Sequence, residues 1–257
     1  MSVDEPPGFA AVLRSEWTKL RSVRSTWWTL GLGFAISVGL GAMGGVSVRI
    51  ALAEHSTNVR SDFSAADTGF YGVSYGLLSL VVFAVLAVTT EYRSGMIRGS
   101  LSVVPRRAVF AAAKLTAMGG AVLLVSAVTG FVTFVATEAA LDGYGAPLST
   151  PGLAAAMIGA TLYPTLICVF SAAIAMLLRG SALTLAILIP LLMIVPVVFA
   201  NTPGLKPLAQ YLPSQAGTQM MLLVKQGTST LTPAQGLLVL AAWTAAGVMA
   251  LRARDVR

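Results

Sequence analysis

Long apolar runs separated by short polar breaks are the first pattern in this chain. Six of them, 27–48, 70–90, 115–137, 153–178, 181–200 and 233–251, are each long enough to cross a hydrocarbon core of about 30 Å at about 1.5 Å per residue. Ahead of the first run the pattern changes to a helical period. Phe9, Val12, Leu13, Trp17, Leu20, Val23 and Trp27 share one arc of a 3.6-residue wheel, with Arg14, Thr18, Arg21 and Ser22 opposite. Glu16 intrudes on the apolar arc. A basic amphipathic helix carrying tryptophan is expected to lie in the membrane interface, with Trp27 and Trp28 anchoring the inner end of the first span.

Within the runs, proline and glycine predict local departures. Gly41 and Gly45 form one G-x-x-x-G, a spacing that permits close helix contact. Pro164 is expected to interrupt the fourth span, Arg179-Gly180 to turn the chain into the fifth, and Pro190 and Pro196 to kink that fifth helix. Residues 201–232 are too broken by proline and glycine to span; an apolar helical patch is expected at 220–224, with Ser214 as a candidate cap. Thr232-Pro233 reads as a helix start. Ala51-Leu52-Ala53 matches a signal-peptidase pattern, but the run before it exceeds a signal peptide's apolar core of about 7 to 15 residues, so an uncleaved span is expected.

Composition turns these runs into a class. With 56% hydrophobic and 11% charged residues, against about 25% charged in globular proteins, the chain is expected to be an all-α integral membrane protein. The net charge of +7 does not indicate nucleic acid, because the cations flank the apolar runs. Thirteen of the 17 Lys and Arg fall on one side if six spans are threaded with both ends together: four before the first span, five between the second and third, Arg179, and three after the last. That side is the cytoplasm by the positive-inside rule. A single domain is expected, with a tail and interface helix over 1–26, a six-span bundle over 27–251 and a cytoplasmic tail over 252–257.

Several chemistries are disfavoured. The six predicted spans contain no Asp, Glu, Lys, Arg or His, the residues that mark proton relays. One histidine, His55, and one cysteine, Cys168, make neither a zinc site nor a disulfide. No Lys follows a glycine as a phosphate-binding loop requires, so no ATP site is expected in this chain. Span serines lack a nearby base, and catalysis by the chain itself is not expected. A membrane-embedded lipid-modifying enzyme and a non-transporting immunity or sensory component stay open as readings of such a chain.

The longest charged connection between spans runs from Glu91 to Lys114, with Arg93, Arg98, Arg106 and Arg107 between them. Read as a helix from about Ser94 to Pro105, it places Ile97, Leu101 and Val104 on one side and Arg98 and Ser102 on the other, which leaves a face for a partner. Glu91 reads as an interfacial acid that ends a helix and pairs with Arg93 or Arg98; Arg106 and Arg107 suit lipid headgroups.

Three stretches, LRSEWTKLRSVRSTWW near the start, EYRSGMIRGSLSVVPRR after the second run and YLPSQAG before the last, carry a family likeness. The chain resembles the permease subunit of a type-2 ATP-binding-cassette exporter, particularly the small six-span permeases of actinobacteria. The resemblance implies a multi-pass protein of the bacterial cytoplasmic membrane that pairs with a second permease, a copy or a paralogue, and with ATPase subunits holding ATP and Mg²⁺. It assigns ATPase coupling to Glu91, Gly95, Met96, Ile97, Arg98 and Leu101, and a bracing contact to Trp17, Lys19, Leu20 and Arg21 of the interface helix. The cargo is expected to be apolar or amphipathic, on a path between the two permeases lined by second and fifth spans.

Overall fold

The computed structural model describes residues 8–54, 65–96, 107–145, 147, 149–223 and 231–255. Among them there are helices, turns and no strand. Helix α1 spans Phe9–Ser22, breaks at an extended Val23, and is followed at once by α2, Arg24–Ala53. Lys19 and Arg21 in the last turn of α1 favour its dipole, and the Trp27 indole donates 3.0 Å to the freed Arg21 carbonyl. Next come the short α3, Ala65–Thr68, then α4, Tyr71–Arg93, α5, Arg107–Leu141, and α6, Leu153–Leu178. The fifth membrane-length segment is composite: α7, Ser181–Ile189, a π-helical turn at Pro190–Ile194, and α8, Val195–Asn201. Short helices α9, Lys206–Ala209, and α10, Pro213–Gln219, lead to α11, Pro233–Asp255. Among the described residues, six helical segments are long and apolar enough to cross a membrane, the architecture of a multi-pass membrane protein.

Small residues at every fourth position set the packing of α2. Thr29, Gly33, Ser37, Gly41 and Gly45 form one stripe, against which α4 lies antiparallel. A methyl on Gly72 would collide with the Ser37 carbonyl, and one on Gly76 with the Ser37 hydroxyl. Ser79 closes the seam by donating 2.8 Å to the Thr29 carbonyl. Gly41 and Gly45 turn their other flank to Thr133 and Thr137 of α5. The Gly41–Gly45 pair is thus used inside the bundle, where close backbone approach replaces the missing hydrophobic drive between helices in lipid.

Helices α4 and α6 are the most enclosed, with 61% of their apolar windows buried, against 22% for α2 and for the fifth segment. Leu77, Val81, Phe83, Tyr163, Ile167 and Cys168 form the centre of the core. Phe70 stacks on Phe134 at 5.3 Å, and Phe170 meets Trp243 edge-on at 6.1 Å.

Four expectations change. Helix α6 runs through Pro164 without interruption, and the buried ring costs only the missing N–H inside a well-packed helix. At Pro190, where a kink was expected, the fifth segment opens into a π-turn, with Val195 N–H bonding to the Pro190 carbonyl. No helix forms over 220–223, and Val224 lies outside the described residues; the helix in this stretch lies earlier, at Pro213–Gln219, and Ser214 sits in its first turn and caps nothing, because Pro213 starts the helix. This helix is wedged into the bundle, its Gly217 against the Tyr163 ring and its Ala216 carbonyl against Gly236 of α11. Finally, α5 begins at Arg107 rather than 115, since no proline or glycine breaks RAVFAAAK, and α4 continues to Arg93. Glu91 and Lys114 therefore belong to membrane-length helices, not to the connection between them.

The start of α11 follows its sequence. Gln235 N–H donates to the Thr232 hydroxyl at 3.3 Å, while the Gln235 side chain accepts from Thr232 N–H at 2.8 Å, a reciprocal cap with Pro233 in the first turn. Asp67 of α3 is buried and accepts 2.6 Å from Leu223 N–H, which ties the segment after α10 to the end of the bundle away from α1.

Candidate functional site

Where α1 crosses α5, the acid that disturbed its apolar arc finds its reason. Glu16 is 2% exposed, and both of its oxygens are taken: Oε1 by Lys19 at 2.6 Å and Oε2 by Lys114 at 2.5 Å. Lys114 lies two turns inside α5 and also donates 2.8 Å to Glu91 Oε1, in the last turns of α4. Lys19 approaches the same Glu91 oxygen at 3.5 Å. Two carboxylates and two ammoniums thus bind three helices together at one end of the bundle.

Apolar side chains flank the charges. Val12, Phe110 and Ala113 pack together beside them, and the Phe110 ring lies under both ammoniums, 5.8 Å from Lys19 Nζ and 5.5 Å from Lys114 Nζ. Desolvation of each ion costs several kcal/mol, roughly, and only this close pairing offsets it. For Lys19, burial disfavours the charge, but the Glu16 hydrogen bond and the two nearby carboxylates outweigh it and raise its pKa above the ordinary 10.5. Glu91 Oε2 is fully enclosed and has no hydrogen-bond partner.

A cleft of about 360 Å³ opens beside the cluster between the α1–α2 junction and α4. Leu20, Phe83, Leu86 and Ala87 line it with hydrocarbon, and Thr26, Thr29, Thr90 and Ser94 with hydroxyls. Nearby, the Arg179 guanidinium lies 5.8 Å from the Tyr92 ring centroid, with Arg179 itself in the left-handed region (φ 57°) where α6 ends.

The structure brings part of the sequence-derived set together. Glu91 and Lys19 join the cluster; Leu20 and Met96 line the cleft; Trp17 rests on Gly120 of α5. Arg21 points outward and contributes its carbonyl to Trp27, while Gly95 takes φ 72° just past α4. Ile97, Arg98 and Leu101, and the helix expected from Ser94 to Pro105, lie outside the described residues. Glu91 pairs with Lys114 and Lys19 rather than with Arg93, which is exposed. The sequence reading missed Glu16 and Lys114 as site residues. The signal was present in both, an acid on an apolar arc and a lysine inside AAAKLTAM, because each needs a buried opposite charge.

The arrangement holds charge and offers no nucleophile–base pair. Among the described residues no group of three His, Cys, Asp or Glu side chains is placed to hold a metal ion. No protein-family model matches the chain, and no curated protein matches it.

Proposed function

We propose that this chain is the membrane permease subunit of a type-2 ATP-binding-cassette exporter, which moves an apolar or amphipathic cargo while a separate ATPase binds ATP and Mg²⁺. One observation carries the reading: the buried cluster fastens α1 to α4 and α5, the two helices that bracket residues 94–106. A push on that connection reaches Glu91 and Lys114 first, and through Glu16 and Lys19 it moves α1 with them. A junction of this kind transmits displacement and does no chemistry of its own. On this reading the junction and both termini face the cytoplasm of a bacterium, and α1 braces the contact with the ATPase. The permease pairs with a second copy or a paralogue, and alternation of the pair exposes a path between them.

Affinity purification of the tagged chain from its native membrane in mild detergent tests the proposal. A stoichiometric ATPase is expected in the eluate, its activity lost when Glu91 and Arg98 are replaced together. Repeated recovery of the intact chain without any nucleotide-binding partner would overturn it.

A further inference from the structure

A second hollow runs along the outside of the bundle, on the flank of α5 opposite Lys114 in a 3.6-residue period. It is a groove of about 410 Å³ with α5 and α11 as its sides and α6 as its floor. Ala112, Gly119 and Leu123 of α5, Thr165 and Val169 of α6, and Val248 of α11 line it. Adjacent glycines hollow it out. A methyl on Gly119 would stand 3.2 Å from the Val169 side chain, so α6 packs directly on the α5 backbone, and Gly120 carries only the edge of the Trp17 ring, 3.7 Å from where its methyl would be. The groove opens outward at Thr116 and Leu123, both exposed.

The length of this groove selects its occupant. From Ala112 to Leu123 it follows α5 for about 16 Å at about 1.5 Å per residue, which is about half of a hydrocarbon core of roughly 30 Å. A membrane-spanning helix of a partner needs the full thickness; an acyl chain needs one leaflet. Thr116 stands two residues deeper than Lys114. Its hydroxyl has no hydrogen-bond partner among the described residues, whereas the neighbouring Thr165 donates 2.8 Å to the Thr161 carbonyl. A lipid ester carbonyl at that level can accept the Thr116 hydrogen, which hydrocarbon cannot.

Charge at the mouth completes the selection. Arg14 and Arg21 stand three residues before and four after Trp17, hence on its flank of α1, and both are exposed. The buried Glu16 and Glu91 are held by Lys19 and Lys114, so they do not draw on these arginines. We infer that the groove seats one acyl chain of an anionic phospholipid, with its ester carbonyl on the Thr116 hydroxyl and its phosphate between Arg14 and Arg21. The planar fork of arginine matches a phosphate with two parallel hydrogen bonds. The inference needs only a multi-pass protein and stands apart from the exporter reading.

Palmitoyl-oleoyl phosphatidylglycerol is the probe, beside phosphatidylcholine with the same chains. The full chain, purified in a neutral detergent and stripped of lipid, is titrated with each, and bound molecules are counted by native mass spectrometry. The first phosphatidylglycerol is expected to bind about tenfold tighter than the first phosphatidylcholine, whose choline cation the arginines repel. Arg14→Gln and Arg21→Gln together should bring phosphatidylglycerol to the level of phosphatidylcholine and leave the latter unchanged. Thr116→Phe, which fills the groove and leaves every charge in place, should weaken both lipids several-fold. Equal affinity of the two lipids for the unaltered chain would overturn the inference, as would a preference for phosphatidylglycerol that survives the double replacement. Unchanged binding by folded Thr116→Phe would also overturn it, and would leave the arginine flank to an acidic protein surface.

Discussion

The two halves of this bundle are held together by opposite means. At the α1 end, four charges link α1, α4 and α5 through side chains that extend several bonds from their helices. Farther along, α2 and α4 meet backbone to backbone at Gly72 and Gly76, and α10 meets α6 and α11 at Gly217 and Gly236. Glycine contacts tolerate almost no displacement, because the packed atoms have no slack. Ion pairs tolerate exchange of partners, and Lys19 and Lys114 already share Glu16 and Glu91. The comparison assigns stiffness to the glycine seams and adjustable linkage to the α1 end, where a transmitted push would enter.

Removing Lys114 is the strongest way to break this contrast. Lys114→Met leaves Glu16 Oε2 and Glu91 Oε1 short of their closest donor in an apolar surround, and the loss should be about 3–5 kcal/mol, read as a large fall in thermal unfolding temperature in detergent. Replacing all four charges together by apolar residues of similar volume should recover most of that stability, since the desolvation penalty disappears with the charges. In the proposed exporter the same quadruple variant should still lose ATP-driven transport. Stability that stays low in it would mean that the cluster's geometry, not its charge balance, holds α1.

The seam gives the next effect. Gly72→Ala forces a methyl into the Ser37 carbonyl and should cost about 1–3 kcal/mol, whereas Gly39→Ala meets nothing within 4 Å and should be neutral or slightly stabilising. Equal unfolding temperatures for the two variants would remove the stiff half of the comparison. Asp67→Ala at the end away from α1 leaves the Leu223 N–H without this acceptor, and about 1–3 kcal/mol should be lost there with no effect on a pairing that involves Lys114.

How much of this could be read from the chain depends on whether the cause was local. Six membrane-length segments were legible because apolar length is local, and the Thr232-Pro233 start because a cap is built from four neighbouring residues. Helix ends were less so: Lys114 reads as part of a basic connection until the unbroken helix from Arg107 carries it inward. Glu16 was visible as a misfit, and Lys19 one turn on was within reach of the pattern, but its second partner, Lys114, stands 98 positions away, and no periodicity links those two. Pro164 misled because its penalty is set by the surrounding helices, and α10 because its glycines have meaning only against Tyr163 and α11. Of the residues expected to couple or to brace, Glu91 of the first set and Lys19 of the second come together in space, while Ile97, Arg98 and Leu101 fall outside the described residues.

The smallest expected effect comes from titrating the adjustable linkage. Lys19 has a raised pKa in the folded chain, so the folded state holds that proton more tightly than the unfolded one. Its contribution to stability is therefore complete below the ordinary lysine value of 10.5 and is lost as pH rises through the higher folded value. Thermal unfolding followed between about pH 9 and pH 12 should show a decline that begins above the ordinary value and is shallower in Lys19→Met. Lys19 is partly exposed, so the difference should be modest and should shrink in high salt. A decline of equal slope in both proteins would place the alkaline sensitivity on other groups, and would mean that Lys114 alone holds the two carboxylates.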